Sequence, residues 1–367
     1  MSGPTPKDGV LDMPAYVGGK ETVDGVKNPF KLSANENPLG AGVKAQAALS
    51  DFGSDIGDLS LYPDGGARAL REKLAALNNI DAARIVCGNG SDDILSLLAQ
   101  AYLGPGDEMV HTAHAFLIYK LAGRATGATP VEVAEQDLTA NVDAILAAIS
   151  DKTKIVFLAN PNNPTGTMLY KDAVARLHKS LPDSVLLVLD GAYAEYVDPD
   201  IYPAAFDMVD AHDNVVTTRT FSKAYGLAAL RLGWGYCPPQ IADALNRLRG
   251  PFNINSAALH VGMAALDDQA HIEKSRAHNA QWRDWLVQQI GGLGIGVRST
   301  QANFILLEFG DADEAARAEA AMCAAGVIPR GLAAYGLPTR LCLSIGTQDA
   351  NRAALAALES FNDGDDA

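Results

Sequence analysis

The sequence has few of the features that mark several large classes of protein. Its 367 residues include only four cysteines, and none of them stands in the Cys-x-x-Cys spacing of zinc sites and thiol redox centres. The seven histidines show no metal-ligand spacing either. We therefore expect no disulfides and no structural zinc, and we predict no metal site.

Long apolar runs and an excess of basic charge are missing as well. No apolar stretch reaches the roughly 18 residues that a membrane-spanning helix needs, and the first residues lack the basic-then-apolar order of a secretory signal. The formal net charge is −15, whereas proteins that bind nucleic acid present a basic face. We therefore expect a cytoplasmic protein that binds neither membranes nor nucleic acid.

The order of apolar segments predicts the fold class. Short runs of Val, Leu and Ile alternate with helical stretches from residue 84 to about 237, a pattern typical of a mostly parallel sheet covered by helices on both faces. Beyond residue 251 the strands become fewer and the helices longer. We predict an α/β protein with an N-terminal arm and part of the small domain at 1–40, a large domain at 41–254, and a C-terminal small α+β domain at 255–367.

One polar segment, Thr217–Gly235, has an unusual composition. It places hydroxyl groups at Thr220 and Ser222 beside Lys223, and Arg231 follows eight residues later. A single lysine among hydroxyl groups, with an arginine nearby, suits a cofactor that is bound through an imine and held by its phosphate. An ordinary surface turn explains this segment equally well when it is considered alone.

Two more motifs follow predicted strands, where ligands bind in parallel sheets. Asp190 ends an apolar run, and a carboxylate there needs a cationic partner such as a protonated pyridine nitrogen. Ser91 and Asp92 begin a helix after Gly-Asn-Gly, and helix N-termini attract anions. A helix cap is an equally good interpretation of each motif alone.

Two further segments carry weaker signals. The turn Asn-Pro-Asn-Asn-Pro-Thr-Gly at 160–166 follows an apolar strand, and its rigidity would direct asparagine amides into the crevice at the strand end. Phe116 also follows a strand and would lie flat on a cofactor ring, although an aromatic side chain at a helix start is more often part of a core.

Together these motifs resemble the fold-type I pyridoxal-phosphate aminotransferases, and most closely the histidinol-phosphate aminotransferase family. The resemblance extends from Tyr16 to the last helix. It rests on Ser-Ala-Asn-Glu-Asn-Pro-Leu-Gly at 33–40, Tyr-Pro at 62–63, Gly-Ser-Asp at 90–92, the turn at 160–166, Asp-Gly-Ala-Tyr at 190–193, and Thr-Phe-Ser-Lys with its arginine at 220–231.

The resemblance implies a role for each matching residue. Lys223 would form the Schiff base with pyridoxal phosphate and shuttle the substrate's proton. Asp190 would keep the pyridine nitrogen protonated, and Tyr193 would bond the phenolate oxygen of the ring. Further cofactor contacts are implied for Ser91, Asp92, Phe116, Asn163, Thr220, Ser222, Arg231 and, across a subunit interface, Tyr62. Substrate contacts are implied for Tyr16, Asn35 and Arg330.

The chain departs from the family pattern at two positions. Gly191 replaces the usual glutamate, which we treat as minor because that glutamate is not catalytic. Cys342 replaces an arginine that clamps the substrate's acidic group, and losing such a contact costs about 1.5–3 kcal/mol. Arg340 lies two residues earlier on the same strand face and either substitutes for that arginine or faces solvent.

The resemblance therefore implies a homodimer with shared active sites that transfers the amino group between histidinol phosphate and 2-oxoglutarate in histidine biosynthesis. Cys342 favours an alternative, an aminotransferase of the same family that acts on an aromatic amino acid or on an amine without a carboxylate. A decarboxylase of amino-acid phosphates is a third possibility on this scaffold. A pyridoxal-phosphate-binding regulator without catalytic activity is the fourth.

Overall fold

The computed structural model describes residues 18–55, 60–198, 201 and 205–365, together with residues 3, 6, 10, 11 and 13. The strands are β1 (Phe30–Lys31), β2 (Ile85–Gly88), β3 (Glu108–Thr112), β4 (Thr129–Val133), β5 (Thr153–Ala159), β6 (Leu186–Asp190), β7 (Val215–Thr220), β8 (Gly233–Tyr236), β9 (Gly296–Arg298), β10 (Phe304–Glu308), β11 (Val327–Ile328), β12 (Arg330–Gly331) and β13 (Arg340–Ser344). The α-helices are α1 (Val43–Asp55), α2 (Arg68–Asn78), α3 (Ser91–Tyr102), α4 (Leu117–Thr126), α5 (Val142–Ala147), α6 (Lys171–Ser180), α7 (Phe206–Ala211), α8 (Pro239–Leu248), α9 (Ser256–Leu266), α10 (Gln269–Gly292), α11 (Ala312–Ala324) and α12 (Gln348–Asp365).

Seven strands form a large, mostly parallel sheet in the order β2-β8-β7-β6-β5-β3-β4. The pairs from β7 to β4 are parallel, and β8 runs antiparallel to both of its neighbours. The predicted α/β fold is confirmed. Because β5, β6 and β7 are adjacent and parallel, the residues that follow them meet at one edge of the sheet.

Helices cover both faces of this sheet, which explains why its strands are apolar along their whole length. On β6, Leu187 and Leu189 pack into one buried cluster, while Leu186 and Val188 pack into a second cluster on the opposite face. Every residue of β6 and β7 is buried. Asp190 is therefore held in a rigid, water-poor surrounding.

A second, antiparallel sheet has the order β12-β13-β10-β9. Its core contains side chains of α10, α11 and α12, and Leu32 from the N-terminal segment joins it. The short strand β1 pairs with β11 and so fixes the N-terminal segment beside this sheet. Helix α9 packs against α1 and α2. The predicted domain boundaries after residues 40 and 254 stay a prediction.

In the described parts of the chain, no helix is both long enough and apolar enough to cross a membrane. Those parts also contain no cluster of three or more His, Cys, Asp or Glu side chains that could hold a metal ion. All four cysteines are free and buried.

Candidate active site

A cavity of about 470 Å³ lies at the carboxyl ends of β5, β6 and β7, between the large sheet, the N-terminal segment and the small sheet. Its volume is in the usual range for small-molecule sites. Twelve of the predicted site residues line it, namely Asn35, Ser91, Asp92, Phe116, Asn163, Asp190, Tyr193, Thr220, Ser222, Lys223, Arg231 and Arg330. The fold therefore brings together motifs that are up to 295 residues apart in the sequence, since Asn35 and Arg330 both reach the cavity.

Lys223 lies in the turn after β7. Its Nζ donates a hydrogen bond to the carbonyl oxygen of Ala34 at 3.0 Å and lies 5.7 Å from the centroid of the Tyr193 ring. Burial lowers the pKa of Lys223 to about 8, because desolvation disfavours the ammonium form, while the nearby Glu36 acts in the opposite direction. A useful fraction of this amine is therefore neutral and nucleophilic near neutral pH.

Asp190 ends β6 and is 4% exposed. Its carboxylate accepts three hydrogen bonds, from the hydroxyl of Tyr119 at 2.7 Å, from Thr218 Oγ1 at 3.0 Å and from the amide of Ala192 at 3.2 Å. Burial raises the pKa of Asp190, and the three donors and the charge of Arg219 oppose that shift. The site thus stabilises a buried anion that is suited to a cationic partner.

The hydroxyl of Tyr193 is held by two amides. It accepts from Asn35 Nδ2 at 3.2 Å and from Asn163 Nδ2 at 3.1 Å. Burial raises the pKa of Tyr193, so the group stays a neutral phenol with a proton to donate. Asn35 is itself fixed by Ser344, whose hydroxyl donates to Asn35 Oδ1 at 2.9 Å.

The opposite end of the cavity has the donors of an anion site. Arg231 Nη1 donates to Ser222 Oγ at 3.3 Å, and Arg231 Nη2 donates to Asp92 Oδ1 at 2.8 Å. Helix α3 begins here at Ser91, and the amides of a first helical turn add to the positive potential. Gly233 permits this close packing, because a Cβ there would lie 2.2 Å from the amide nitrogen of Ser91.

Arg330 and Cys342 are register partners on β12 and β13, and both line the cavity. The Arg330 guanidinium carbon lies 5.6 Å from the centroid of the Tyr335 ring. Cys342 Sγ donates to Asn35 Oδ1 at 3.7 Å, and burial raises the pKa of this thiol to about 12. At neutral pH Cys342 therefore adds a small neutral surface next to Arg330.

Arg340 is not among the residues that line the cavity. Its Nε donates to Glu308 Oε1 at 3.0 Å, and Glu308 is its register partner on β10. Arg340 shares a strand face with Cys342 but lies two residues away, which places their Cα atoms about 7 Å apart. The structure therefore brings Arg340 to Glu308 rather than to Cys342.

The two remaining predicted residues lie elsewhere. Tyr62 is 80% exposed and stacks on Phe252, with ring centroids 4.5 Å apart. It does not line the cavity of its own chain. Tyr16 lies outside the described residues.

Two residues of the Asp190 environment were not identified from the sequence. Tyr119 follows Phe116 by three positions, which is the spacing of side chains on one helix face, and their rings meet edge to face at 6.0 Å. Thr218 is the register partner of Asp190 on β7. Pairing of β6 with β7 would have suggested Thr218, but the sequence alone does not fix that pairing.

Known proteins resemble this chain over almost its whole length. Residues 27–358 match the family described as aminotransferase class I and II. Two relatives named histidinol-phosphate aminotransferase are each 47% identical to it. The one from Dinoroseobacter shibae aligns with 97% of this chain and 98% of its own length, and the one from Paramagnetospirillum magneticum aligns with 98% and 99%.

Solved structures agree with this relationship. The histidinol-phosphate aminotransferase from Sinorhizobium meliloti, in complex with pyridoxal-5'-phosphate, superposes with a TM-score of 0.89 at 25% identity over 99% of both chains. The aspartate aminotransferase from Thermus thermophilus with maleate, at 21% identity, shares the fold with a TM-score of 0.77 over 92% of this chain and 91% of its own. The predicted resemblance is confirmed, and the chain belongs to the pyridoxal-phosphate-dependent aminotransferases of class I and II, in the histidinol-phosphate aminotransferase family.

Proposed function

We propose that this aminotransferase uses pyridoxal phosphate to transfer the amino group between histidinol phosphate and 2-oxoglutarate. One observation carries the proposal. A single cavity is lined by a lysine of lowered pKa, by a buried carboxylate that accepts three hydrogen bonds, and by the hydroxyl and guanidinium donors of Ser222 and Arg231. The two relatives that share 47% identity carry the name of this activity.

The side chains around the cavity fit pyridoxal phosphate at each of its functional groups. Lys223 offers an amine for the aldehyde, and Asp190 offers an anion for the protonated ring nitrogen. Tyr193 and Asn163 would bond the phenolate oxygen, and Phe116 would lie against the ring. When bound, the cofactor supplies an electron sink for the charge that develops at the substrate's α-carbon.

The anion site would hold the phosphate of the cofactor. Arg231, Ser222 and Thr220 would supply a guanidinium and two hydroxyl groups, and the amides of Ser91 and Asp92 would supply the helix N-terminus. In this structure the carboxylate of Asp92 lies 2.8 Å from Arg231 Nη2. A bound phosphate would therefore share or replace that contact.

Lys223 would serve as the base for the reacting proton. Its lowered pKa keeps a neutral nitrogen available at a pH where an exposed lysine is almost fully charged. Its hydrogen bond to the Ala34 carbonyl directs the nitrogen toward the N-terminal segment, which forms one wall of the cavity. The amine is thus held between the cofactor residues and the substrate residues.

The substrate end of the cavity is better suited to bind a substrate phosphate than a substrate carboxylate. In our proposal Arg330 would bind the substrate's phosphate, and Asn35 and Tyr16 would be the further substrate contacts. Cys342 is buried and neutral, so it offers no charge for a carboxylate clamp. The same residue favours our second candidate, a family member that transfers the amino group of an aromatic amino acid or a plain amine.

We also infer that the protein forms a homodimer with shared active sites. Tyr62 is 80% exposed although it stacks on an aromatic neighbour, and Leu61 beside it is 69% exposed. Exposed apolar side chains in one patch are typical of an interface. Light scattering of the purified protein should give a mass near twice 38.5 kDa; a monomer would refute the dimer.

The proposed function is tested by one half-reaction. Enzyme loaded with pyridoxal phosphate is mixed separately with histidinol phosphate, glutamate, phenylalanine and simple amines, without a 2-oxo acid. Conversion of the cofactor to its amine form is followed by absorbance. Fast conversion by histidinol phosphate supports the proposal. No conversion by it, together with conversion by phenylalanine or a simple amine, would refute it and establish the second candidate; glutamate serves as the donor common to both.

A further inference from the structure

An ionic pair with a buried arginine and a partly buried glutamate lies next to the Asp190 strand end. The side chain of Arg219 is 4% exposed, and its Nε lies 3.8 Å from Glu195 Oε1. The guanidinium carbon also lies 5.2 Å from the centroid of the Phe206 ring. Burial of a guanidinium costs desolvation free energy that favourable interactions must offset. The burial of Arg219 therefore points to a role for its charge.

Gly191 leaves the space that the guanidinium occupies. A Cβ at residue 191 would lie 1.7 Å from Arg219 Nη1 and 2.8 Å from its Cζ. Gly191 is not among the residues with positive φ, so the backbone itself does not require a glycine. The departure from the family pattern at 191 therefore has a local cause, the position of the Arg219 side chain.

Arg219 is connected to Asp190 through one residue. Its Nη1 donates to the carbonyl oxygen of Thr218 at 3.2 Å, and the amide of Gly191 donates to the same oxygen at 3.1 Å. The hydroxyl of Thr218 in turn donates to Asp190 Oδ1 at 3.0 Å. Arg219 thus fixes the position of Thr218, whose hydroxyl orients the Asp190 carboxylate.

The ion pair of Arg219 with Glu195 is also incompletely hydrogen-bonded. Among the described residues, neither Arg219 Nη2 nor Glu195 Oε2 has a hydrogen-bond partner. The titratable neighbours of Asp190 on other elements are Tyr119 on α4 and Tyr193 after β6, and burial raises the pKa of both phenols so that they stay neutral. Tyr225, which faces Glu195 and Arg219, is neutral for the same reason.

We propose that Arg219 is a positioning residue for Asp190. It fixes Thr218 and places a buried positive charge beside the Asp190 carboxylate. Gly191 is required because it leaves the space for the Arg219 guanidinium. The inference rests on the proposed function only for the cofactor, since a protonated ring nitrogen needs an ionised Asp190. It does not depend on which amine is the substrate.

The test measures the dissociation constant of pyridoxal phosphate for the apoenzyme at several pH values between 6 and 8.5. Arg219→Met removes the charge, Arg219→Lys keeps the charge but loses the forked donor, and Gly191→Ala keeps every charge but collides with Nη1. Arg84→Met is the matched control, because Arg84 also forms an ion pair, to Asp210, and also lies over an aromatic ring, that of Tyr236.

We expect Arg219→Met and Gly191→Ala to raise the dissociation constant at least tenfold at pH 7, and Arg219→Lys to raise it less. The sign of the pH effect follows from the lost charge. Without Arg219 the pKa of Asp190 rises, so the ratio of the variant's constant to that of the wild type should be largest at pH 6 and fall as the pH increases. Gly191→Ala should add little further in an Arg219→Ala background, where the two colliding guanidinium atoms are gone and only the Thr218 carbonyl oxygen, at 3.1 Å, stays close to the new methyl group.

Three results would overturn the proposal. One is an equal loss of affinity in Arg84→Met and Arg219→Met, and another is a variant-to-wild-type ratio that stays constant with pH. The third is unchanged affinity in Gly191→Ala, which decides the question even if Arg219→Met fails to fold. Because no substrate is present, none of these results bears on the choice of amine, which the half-reaction decides.

Discussion

The lowered pKa of Lys223 predicts how fast the apoenzyme captures pyridoxal phosphate at each pH. Only the neutral amine attacks the aldehyde. With a pKa of about 8, about 9% of Lys223 is neutral at pH 7 and about 91% at pH 9. The second-order rate of covalent capture should therefore rise about tenfold between pH 7 and pH 9, with the curve flattening above pH 8. An exposed lysine with a pKa of 10.5 would show about a hundredfold rise without flattening.

Stopped-flow absorbance of the apoenzyme mixed with excess pyridoxal phosphate measures this rate. The cofactor itself titrates in the same range, so the reaction of pyridoxal phosphate with Nα-acetyl-lysine is measured in parallel. That reference rate is expressed per neutral amine at each pH, so that dividing by it removes only the contribution of the cofactor. Glu36→Gln is a second control. Glu36 raises the pKa of Lys223, so its neutralisation should move the midpoint to lower pH.

The result that refutes this reasoning is a corrected rate that increases tenfold per pH unit up to pH 9.5. Such a profile would mean that the amine is hydrated and that the cavity is open to water in solution. A midpoint that moves upward in Glu36→Gln would contradict the electrostatic part of the argument, because the removal of a nearby carboxylate cannot favour an ammonium group.

Three further predictions follow from named contacts. Tyr119→Phe keeps the ring that stacks on Phe157 at 4.9 Å but removes the hydroxyl that donates to Asp190. We expect urea unfolding of the apoenzyme at pH 8 to show that the free energy of unfolding falls by about 1.5–3 kcal/mol, and that this loss shrinks at lower pH as Asp190 becomes protonated. An equal loss at every pH would contradict a bond to the ionised form. Arg340→Ala should leave the KM for glutamate unchanged, because the guanidinium binds Glu308 outside the cavity; a clear rise in KM would mean that Arg340 reaches the substrate. Gly233→Ala should lower stability by about 1–3 kcal/mol through overpacking and should weaken cofactor binding, because the new methyl group would lie 2.2 Å from the Ser91 amide nitrogen. Absorbance titration measures the binding. Normal binding would mean that the start of α3 shifts without loss of cofactor affinity.

Most of the candidate site was predictable because each of its motifs is local. A lysine among hydroxyl groups, an aspartate at the end of an apolar strand and a glycine-rich helix start each carry their chemistry within a few residues. Their common position follows from one rule, that the carboxyl ends of parallel strands lie at the same edge of a sheet. The fold class and the family resemblance were predictable for the same reason, and both predictions are confirmed.

The residues that the sequence did not reveal act across elements. Tyr119 reaches Asp190 from α4, and Thr218 reaches it from β7. Both contacts depend on the pairing of strands and on the docking of a helix, which are set by packing rather than by local sequence. The pairing of Arg340 with Glu308 is of the same kind, because it depends on the register between β10 and β13.

The sequence by itself determined the fold class, the family and the chemical groups that a pyridoxal-phosphate site needs, because these depend on periodicity and on short motifs. Only the tertiary structure decided how these groups act on one another. It placed Lys223 where burial lowers its pKa, and it surrounded Asp190 with three donors. It also put the Arg219 guanidinium in the space that Gly191 leaves open. Desolvation, hydrogen bonding and steric fit depend on distances between atoms, and those distances exist only once the chain is folded.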